Sequence, residues 1–366
     1  MARRKGLGRK KRSTVREKMW EEKHEDSFTH DLARHRRGRL RLGEAVDAVP
    51  GQPEGKCLPN ATVITHSRRW AFVSYDDGLS DAPENPGPLC RIDERLREEE
   101  ESLLAPGDRV QVQFEKGEGV VVATAPRKTR LMRLGGVHSR IKQQVLAANI
   151  DELVIVASVK KPLFSPGLVD RFLIAAQQGG VEPVLCFNKI DLDAPPAAFL
   201  GLYQELGIPV FCTSCITGEG IQELEDCLAG KLCVFAGHSG VGKSSLLNAM
   251  DPELKLVTRE VSEATLKGRH ATTAGVLYML HRDIRVIDTP GIRALGLWGL
   301  SAEEVSLYFP EIATESLYCK FRNCTHIHEK NCAVQKAVQQ GVIARARYES
   351  YRRIRSGIEA MKPDWL

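Results

Sequence analysis

Nine consecutive residues, 237–245, have the composition of a loop that binds phosphate groups. They match the pattern G-x-x-x-x-G-K-[ST] at Gly237, Gly242, Lys243 and Ser244. Glycines let backbone N–H groups turn toward phosphate oxygens at the positive end of a helix. The lysine would reach the outer phosphates, and the serine hydroxyl would bind Mg²⁺. The pattern predicts a nucleotide site with contacts from Gly237, His238, Ser239, Gly240, Val241, Gly242, Lys243, Ser244 and Ser245.

An ordinary glycine turn is the alternative, and the flanking sequence argues against it. Residues 232–236 form an apolar run that predicts a short buried strand, and residues 245–250 predict the first turns of a helix. Strand, loop and helix in this order are the context that a phosphate loop requires.

A second motif predicts which base the nucleotide carries. Residues 188–191 have the sequence Asn-Lys-Ile-Asp and directly follow an apolar run. Ligand-binding loops of a doubly wound sheet lie at this end of the strands. The Asp191 carboxylate can accept hydrogen bonds from N1–H and the exocyclic amine of guanine, a donor pair that adenine lacks. Lys189 would lie along the base, and Asn188 would tie this loop to the phosphate loop. Together with the phosphate loop, the motif predicts a GTP site that includes Asn188, Lys189, Ile190 and Asp191.

Residues 213–215, Thr-Ser-Cys, follow the next apolar run, 208–211. Their backbone would close over guanine O6, so Ser214 and Cys215 are expected in the GTP site. Cys212 and Cys215 also form a C-x-x-C pair, a spacing found at redox sites. Their position within the nucleotide loop favours the nucleotide interpretation.

Two further segments predict the sensors of the γ-phosphate. Residues 288–291 have the sequence Asp-Thr-Pro-Gly, in which Asp288 would hold Mg²⁺ through water and the Gly291 N–H would contact the γ-phosphate. A threonine between the two motifs can bind Mg²⁺ only when that phosphate is present. We choose Thr272, with Thr273 as the alternative. The predicted Mg²⁺ residues are therefore Ser244, Thr272 and Asp288.

A cysteine-rich cluster near the C-terminus predicts a metal site. Its four members lie within 14 residues, and three thiolates with one imidazole are a common ligand set for tetrahedral structural zinc. Scattered buried cysteines are the alternative, but this density beside a histidine favours metal. Because four ligands leave no open position, the zinc would be structural. The predicted ligands are Cys319, Cys324, His326 and Cys332.

The elements around the nucleotide motifs alternate between strands and helices. Residues 151–157 predict a buried strand, and apolar residues at 169, 172, 173 and 176 predict an amphipathic helix. This alternation predicts a parallel sheet covered on both faces. The base-recognition loops precede the phosphate loop, whereas most GTPases have the reverse order. The order therefore indicates a circular permutation, which preserves the sheet and moves the termini.

The segments before the predicted sheet differ from it in residue pattern and in charge. Residues 51–128 contain short β-rich runs and turns, which predict a small barrel; the five-stranded oligonucleotide-binding barrel is one candidate. Within them, residues 79–107 predict an inserted solvated loop. Residues 1–41 carry 15 Lys and Arg against 6 Asp and Glu, although the net charge of the chain is only +5. We expect residues 1–50 to be a disordered basic tail, either a contact for nucleic acid or a solubilising segment.

Bulk composition limits the class of protein. The 366 residues suffice for two or three domains, and no apolar run approaches the length of a membrane span. The N-terminus lacks the hydrophobic segment of a secretory signal. The ten cysteines lack the spacing of a small disulfide scaffold, so we expect reduced thiols in a cytoplasmic protein. We also expect that the protein does not enter a membrane and that it is a monomer.

The permuted motifs, the preceding barrel and the cysteine cluster together resemble one family. Over residues 55–350 the chain is similar to the ribosome small-subunit-dependent GTPase A family (RsgA, also called YjeQ), which are circularly permuted GTPases. The resemblance implies an α/β fold: a permuted P-loop GTPase domain, preceded by a small β-barrel of the OB-fold type and followed by a zinc-bound helical domain. The expected boundaries are 1–50 for the tail, 51–128 for an RNA-binding barrel, 129–300 for the GTPase domain and 301–366 for the zinc domain.

The same resemblance implies a function in late maturation of the small ribosomal subunit, with that subunit and its rRNA as partners. We expect slow hydrolysis of GTP to GDP and phosphate, accelerated by rRNA. Two alternatives remain: an RNA-binding assembly factor that uses GTP only as a structural or switch ligand, and a GTPase that acts on another RNA.

The resemblance also guides two residue assignments. Many GTPases orient the attacking water with a glutamine just after D-x-x-G, but Ile292 is present here. His270 is the candidate replacement because a histidine precedes the switch threonines in the family; RNA contact or loop packing is its alternative role. The family commonly has three threonines after this histidine, whereas Ala271 comes first here. The spacing of the family's cysteine cluster favours His326 over His328 as a ligand.

The last segment, residues 333–362, is predicted to be helical. Its arginines would form either an RNA-facing stripe or a solvated face, and they are Arg345, Arg347, Arg352, Arg353 and Arg355.

Overall fold

A computed structural model describes residues 57–76, 89–97, 104–115, 117–134, 143–252, 275–288, 297 and 299–360. The predicted basic tail, residues 1–50, lies outside these ranges. Among the described residues, no helix combines the length and the apolar character needed to cross a membrane.

The first domain is a closed five-stranded barrel with the strand order β1-β2-β3-β5-β4. Strand β3 runs parallel to β5, and the other pairs, including the closing pair of β1 with β4, are antiparallel. This topology confirms the predicted OB-fold. The strands are β1 (Ala61–His66), β2 (Trp70–Tyr75), β3 (Leu89–Ile92), β4 (Arg109–Glu115) and β5 (Glu118–Thr124).

The prediction of an inserted solvated loop over residues 79–107 is wrong for its described part. Strand β3 and a short 3₁₀-helix, Glu94–Arg97, lie within it. Cys90, Ile92 and Leu104 are buried in the barrel core. A four-residue strand offers only two inward positions, too few for its period-two pattern to stand out beside prolines and acidic residues.

The second domain is built on a six-stranded sheet with the order β10-β9-β8-β11-β13-β12. All neighbours are parallel except the edge strand β12, which is antiparallel to β13. Two further strands form a separate hairpin that joins the barrel to this sheet. The strands are β6 (Arg130–Leu134) and β7 (Gln143–Ala148) in the hairpin, then β8 (Glu152–Ser158), β9 (Glu182–Asn188), β10 (Val210–Thr213), β11 (Leu232–Ala236), β12 (Val276–Met279) and β13 (Arg285–Asp288).

Apolar side chains cover both faces of this sheet, as predicted. On one face, Phe172 and Tyr203 pack in a core with Leu153 and Ile155 of β8. On the other, Leu246 packs in a core with the alternate residues of β8. All seven residues of β8 are buried, as expected of a central parallel strand. The helices are α1 (Pro166–Gly179), α2 (Ala197–Glu205), α3 (Ile221–Leu228) and α4 (Lys243–Met250).

The C-terminal domain contains a 3₁₀-helix, Glu304–Tyr308, and three helices, which are α5 (Pro310–Ser316), α6 (Ala333–Gln339) and α7 (Arg345–Glu359). The predicted helical character of residues 333–362 is confirmed over 333–339 and 345–359, and the chain turns between α6 and α7. Gly341 has φ +76°, and the following Val342 N–H donates to the carbonyl of Ala337 at 2.9 Å. A left-handed glycine with this hydrogen bond ends a helix.

Candidate functional site

The loops after β9, β10 and β11 meet at the carboxyl edge of the sheet. Asn188 ends β9 and is 1% exposed. Its Nδ2 donates to the carbonyl of Val241 in the phosphate loop at 3.0 Å. Gly242 has φ +99°, and a Cβ atom there would lie 2.4 Å from Asn188 Nδ2. Glycine at 242 therefore permits the close approach of the base-recognition loop to the phosphate loop.

The other side of the Asn188 amide contacts the loop after β10. Its Oδ1 accepts a hydrogen bond from Thr213 Oγ1 at 3.2 Å and a longer one from Cys215 Sγ at 3.6 Å. Asn188 thus joins three loops that lie far apart in the sequence. Sequence reasoning anticipated the contact with the phosphate loop but not those with Thr213 and Cys215.

Asp191 is held by its neighbour in the loop after β10. Ser214 Oγ donates to Asp191 Oδ1 at 2.6 Å and accepts the backbone N–H groups of Ile216 and Thr217, each at 3.2 Å. This turn fixes one carboxylate oxygen, and Ile190 is tied to the same loop through its N–H, which donates to the Thr213 carbonyl at 3.2 Å. The arrangement suits a carboxylate that accepts a pair of hydrogen bonds from a purine edge.

Lys189 spans from the base-recognition loop to the phosphate loop. Its ammonium donates to the carbonyl of Gly240 at 2.5 Å and to the carbonyl of Lys161 at 2.7 Å. Lys161 lies in the segment between β8 and α1, which sequence reasoning did not place near the site. Only its carbonyl makes this contact, so no side-chain pattern signalled it.

The phosphate loop has the backbone that its glycines predict. Gly237 has φ +147°, and a Cβ there would lie 2.2 Å from the Val156 carbonyl oxygen. Lys243, the first residue of α4, donates from Nζ to the carbonyls of Gly237 at 2.9 Å and His238 at 3.0 Å. The Lys243 ammonium is therefore held inside the loop. The residues on the open side of the loop are exposed, and they are His238, Ser239, Gly240, Ser244 and Ser245.

Asp288 ends β13, two strands from β8 on the phosphate-loop side of the sheet. Desolvation by the surrounding protein raises the pKa of its carboxyl, although the side chain still reaches solvent, and the Lys243 ammonium opposes that shift. A bound cation would also oppose it, so this environment is compatible with the predicted contact between Asp288 and Mg²⁺. His270, Thr272, Thr273 and Gly291 lie outside the described residues.

The four predicted zinc residues form one group in the C-terminal domain. One ligand atom from each of Cys319, Cys324, His326 and Cys332 lies within 4.8 Å of all the others. The Cys319 and Cys332 sulfurs are 3.8 Å apart, and each is 3.5 Å from His326 Nδ1. Tetrahedral zinc with ordinary bond lengths requires about 3.8 Å between sulfurs and about 3.6 Å from sulfur to nitrogen. The donor set therefore fits zinc in both chemistry and spacing. His328 is exposed and is not part of this group.

Hydrogen bonds around the cluster hold the loop that carries His326. Tyr348 and Tyr351 of α7 donate their hydroxyls to the carbonyls of His326 at 2.6 Å and Thr325 at 2.8 Å. Glu329 accepts the N–H and the hydroxyl of Thr325, both at 2.7 Å. Burial would raise the pKa of Glu329, but these hydrogen bonds, together with those from the backbone N–H groups of Ile327 and of Glu329 itself, outweigh it and lower the pKa to about 2.

A buried ion pair joins the C-terminal domain to helix α1 of the sheet domain. Arg347 of α7 is 3% exposed and donates from Nη1 to Asp170 Oδ1 of α1 at 2.6 Å, and from Nε to Glu311 Oε1 at 2.6 Å. Its guanidinium also lies 4.4 Å from the centre of the Phe309 ring. Arg355 is likewise buried, with its guanidinium donating to the Ala302 carbonyl. These two arginines belong to the domain interior rather than to an RNA-facing stripe, and only Arg345, Arg352 and Arg353 of the five are exposed.

Comparison with known proteins gives one consistent result. The sequence profile of the RsgA GTPase family matches residues 124–298. The small ribosomal subunit biogenesis GTPase RsgA of Bacteroides fragilis is 37% identical over 298 residues, which cover 79% of this chain and 94% of the relative. The protein of the same name from Saccharophagus degradans is 36% identical over 329 residues, with coverage of 86% and 93%.

Two solved structures share the fold. YjeQ from Thermotoga maritima is 32% identical, with a TM-score of 0.63 and coverage of 83% of this chain and 99% of that one. YloQ, described as a circularly permuted GTPase, is 28% identical, with a TM-score of 0.61 and coverage of 87% and 99%.

Proposed function

This chain belongs to the RsgA family of circularly permuted GTPases, and we propose that it binds the small ribosomal subunit and hydrolyses GTP during late maturation of that subunit. The relatives carry the name of small ribosomal subunit biogenesis GTPases. The proposal depends above all on the Asn188 amide, which ties the base-recognition loop to the phosphate loop through Val241 and to the loop after β10 through Thr213.

The described residues divide the recognition of GTP between them. Asp191, oriented by Ser214, accepts the donors of the guanine edge, and Lys189 lies against the base. The backbone of the phosphate loop and Lys243 receive the phosphates. Mg²⁺ would be held by Ser244 and Asp288, together with Thr272, and would neutralise charge between the outer phosphates.

Hydrolysis requires a water molecule aligned with the γ-phosphorus atom. Lys243 stabilises the charge that develops on the phosphate oxygens, and we assign His270 to orient the water, since Ile292 cannot do so. Single-turnover hydrolysis by His270→Ala tests this assignment. A large loss of rate with unchanged nucleotide affinity supports it, whereas an unchanged rate contradicts it.

We assign zinc to the cluster of Cys319, Cys324, His326 and Cys332, where it would connect the loop after α5 to the start of α6. All four positions of a tetrahedral ion are taken by protein atoms, so the ion would be structural. Metal analysis of the purified protein tests the assignment, with one zinc per chain expected.

The barrel presents a surface suited to RNA. In an OB-fold, the outer face of strands 2 and 3 and the loop between strands 1 and 2 bind oligonucleotides. Here Trp70 is 39% exposed at the start of β2, Leu89 is 47% exposed on β3, and Arg68 and Arg69 are exposed in that loop. An aromatic ring beside cations is the combination that binds unpaired bases and phosphates.

The central experiment measures GTP hydrolysis with and without purified ribosomal subunits. We expect small subunits to raise the rate and large subunits to leave it unchanged. Equal rates under all conditions contradict the proposal. Co-sedimentation of the protein bound to a GTP analogue with each subunit addresses the alternative of a different RNA partner.

A second candidate function is an RNA-binding assembly factor in which GTP is only a structural or switch ligand. The absence of a glutamine at position 292 favours it. Under this alternative, small subunits bind the GTP form, but His270→Ala leaves the hydrolysis rate unchanged. We further propose a cytoplasmic monomer, which sedimentation and cell fractionation would test.

A further inference from the structure

The loop that carries the first two metal ligands exposes an unusual group of side chains. Leu317, Tyr318 and Phe321 are 56%, 74% and 46% exposed. Lys320 and Arg322 lie between and beside them and are exposed as well. We name residues 317–323 the zinc-loop platform. Large apolar side chains grouped in this way on a soluble protein mark a binding surface.

The platform has a defined backbone. Cys319 and Cys324 contribute ligand atoms to one group, and Phe321 accepts the Cys324 N–H on its carbonyl at 3.2 Å. At the other end, the Tyr318 N–H donates to the Glu315 carbonyl at the end of α5, at 3.1 Å. The cluster therefore presents residues 320–323 at the tip of a short closed turn. A surface that is ordered before binding loses less conformational entropy when it binds.

Charge decides which partner suits this surface. The platform contains Lys320 and Arg322 but no Asp or Glu. The Lys320 ammonium lies 5.6 Å from the centre of the Phe321 ring. Aromatic residues and arginine are also common in protein–protein interfaces, but lysine is depleted there. Aromatic rings interleaved with cations, lysine included, are typical of surfaces that bind single-stranded nucleic acid.

We propose that the zinc-loop platform binds unpaired nucleotides of RNA. Tyr318 and Phe321 stack on successive bases, and Lys320 and Arg322 contact the flanking phosphates. Duplex RNA does not fit, because its bases are stacked on one another and cannot reach the rings. This inference rests on the proposed function, which supplies ribosomal RNA as the partner, and it identifies unpaired bases as what the domain recognises.

The direct test uses the full-length, zinc-loaded protein with a GTP analogue. Its probes are a labelled single-stranded RNA and the duplex of the same strand. We expect the single strand to bind more tightly than the duplex and expect the affinity to fall about tenfold for each ring removed in Tyr318→Ala and Phe321→Ala. Tyr318→Phe keeps the ring and should retain binding. Val342→Ala is the matched control, since Val342 is 66% exposed in the same domain but outside the platform.

A fluorescence signal at position 321 distinguishes RNA bound at the platform from RNA bound at the barrel. In Phe321→Trp, the new indole should be quenched by single-stranded RNA and not by the duplex, because stacking on a base quenches indole fluorescence. Binding of single-stranded RNA without quenching, together with wild-type affinity in the double alanine variant, would overturn the proposal. Zinc content and thermal unfolding of each variant verify that the domain remains folded.

Experiments with small ribosomal subunits distinguish a failure of this inference from a failure of the proposed function on which it rests. If the subunits fail to stimulate hydrolysis by the wild-type protein, the proposed function is wrong. If they stimulate the wild type and bind the double alanine variant equally well, only the platform is wrong. If the double variant loses subunit binding but keeps its affinity for single-stranded RNA, the platform faces a ribosomal protein, and the RNA proposal is wrong.

Discussion

The nucleotide loops and the Cys₃His cluster achieve close contact by different means. Asn188 and Val241, which touch across the nucleotide site, are 53 residues apart in the chain. They meet because parallel strands end at one edge of a sheet that has an apolar core on each face. The four cluster residues come from one short segment, whose neighbouring helices α5 and α6 have only seven residues each. The sheet orders the first site, whereas the second site must help to order its own domain.

The two regions therefore differ in what stabilises their folds. Helices of seven residues are not stable alone and depend on their packing. The core of the C-terminal domain contains Phe309, Ile312 and Tyr351, together with Ile174 of α1. It therefore depends on packing against a helix of the neighbouring sheet domain, and under the proposed assignment it depends on zinc as well.

Removal of the metal should have the largest effect and tests the contrast directly. Cys332→Ser, or a strong chelator, removes an ion whose binding contributes on the order of 10 kcal/mol to the folding of such domains. We expect loss of helical circular dichroism and rapid labelling of the cluster thiols, with nucleotide affinity largely retained. Unchanged helicity after complete metal removal would contradict the stated role of the cluster.

The buried ion pair between the two regions should rank next. Arg347→Ala leaves Asp170 buried without its charge partner, and we expect a loss of about 3–5 kcal/mol in the free energy of unfolding. Arg347→Met, which replaces the stem without the charge, combined with Asp170→Asn should recover much of this loss. Denaturant unfolding of the variants measures both effects. Arg353→Ala on the exposed face is the control, with an expected change within about 0.5 kcal/mol.

Base recognition should change without a change in stability. Asp191→Asn replaces an acceptor pair by one acceptor and one donor, which costs about 3 kcal/mol, or about a hundredfold in GTP affinity. The amide donor suits the 2-oxo group of xanthine, so xanthosine triphosphate should bind better than to the wild type. Titration with both nucleotides measures the exchange. Asp193→Asn, which removes an exposed partner of Lys160, should leave GTP affinity unchanged.

The smallest effect should come from Cys215→Ala. A thiol is a weak donor, and Asn188 Oδ1 retains its hydrogen bond from Thr213 when the sulfur is removed. We expect a loss of less than about 1 kcal/mol in GTP binding, and no change when the protein is treated with a mild disulfide-forming oxidant. A large oxidant-dependent loss in the wild type, absent from the variant, would revive the redox interpretation of Cys212 and Cys215.

The features that the sequence predicted correctly are those whose residues lie close together in the chain or follow a regular period. The phosphate loop, the Asn188–Asp191 motif and the cysteine cluster were accessible because each places its chemistry within a few residues. The OB-fold and the covered parallel sheet followed from periodicity and the family resemblance.

Contacts that depend on tertiary structure were missed. Lys161 contributes only a carbonyl, so its side chain carries no signal. Arg347 and Arg355 share the pattern of a solvated arginine stripe, and their burial depends on Asp170, which is 177 residues from Arg347, and on the Ala302 carbonyl. Strand β3 was missed because its two inward residues are too few to form a pattern.

The close approach of position 242 to Asn188 has a consequence for variation among such proteins. Even a single methyl group at 242 would occupy the space that the Asn188 amide needs, only 2.4 Å away. A side chain at 242 would therefore require a different residue at 188, so the contact between the base-recognition loop and the phosphate loop depends on both positions together. A change of base specificity should therefore be made at residue 191, because a substitution there leaves the contact of the Asn188 amide with the phosphate loop in place.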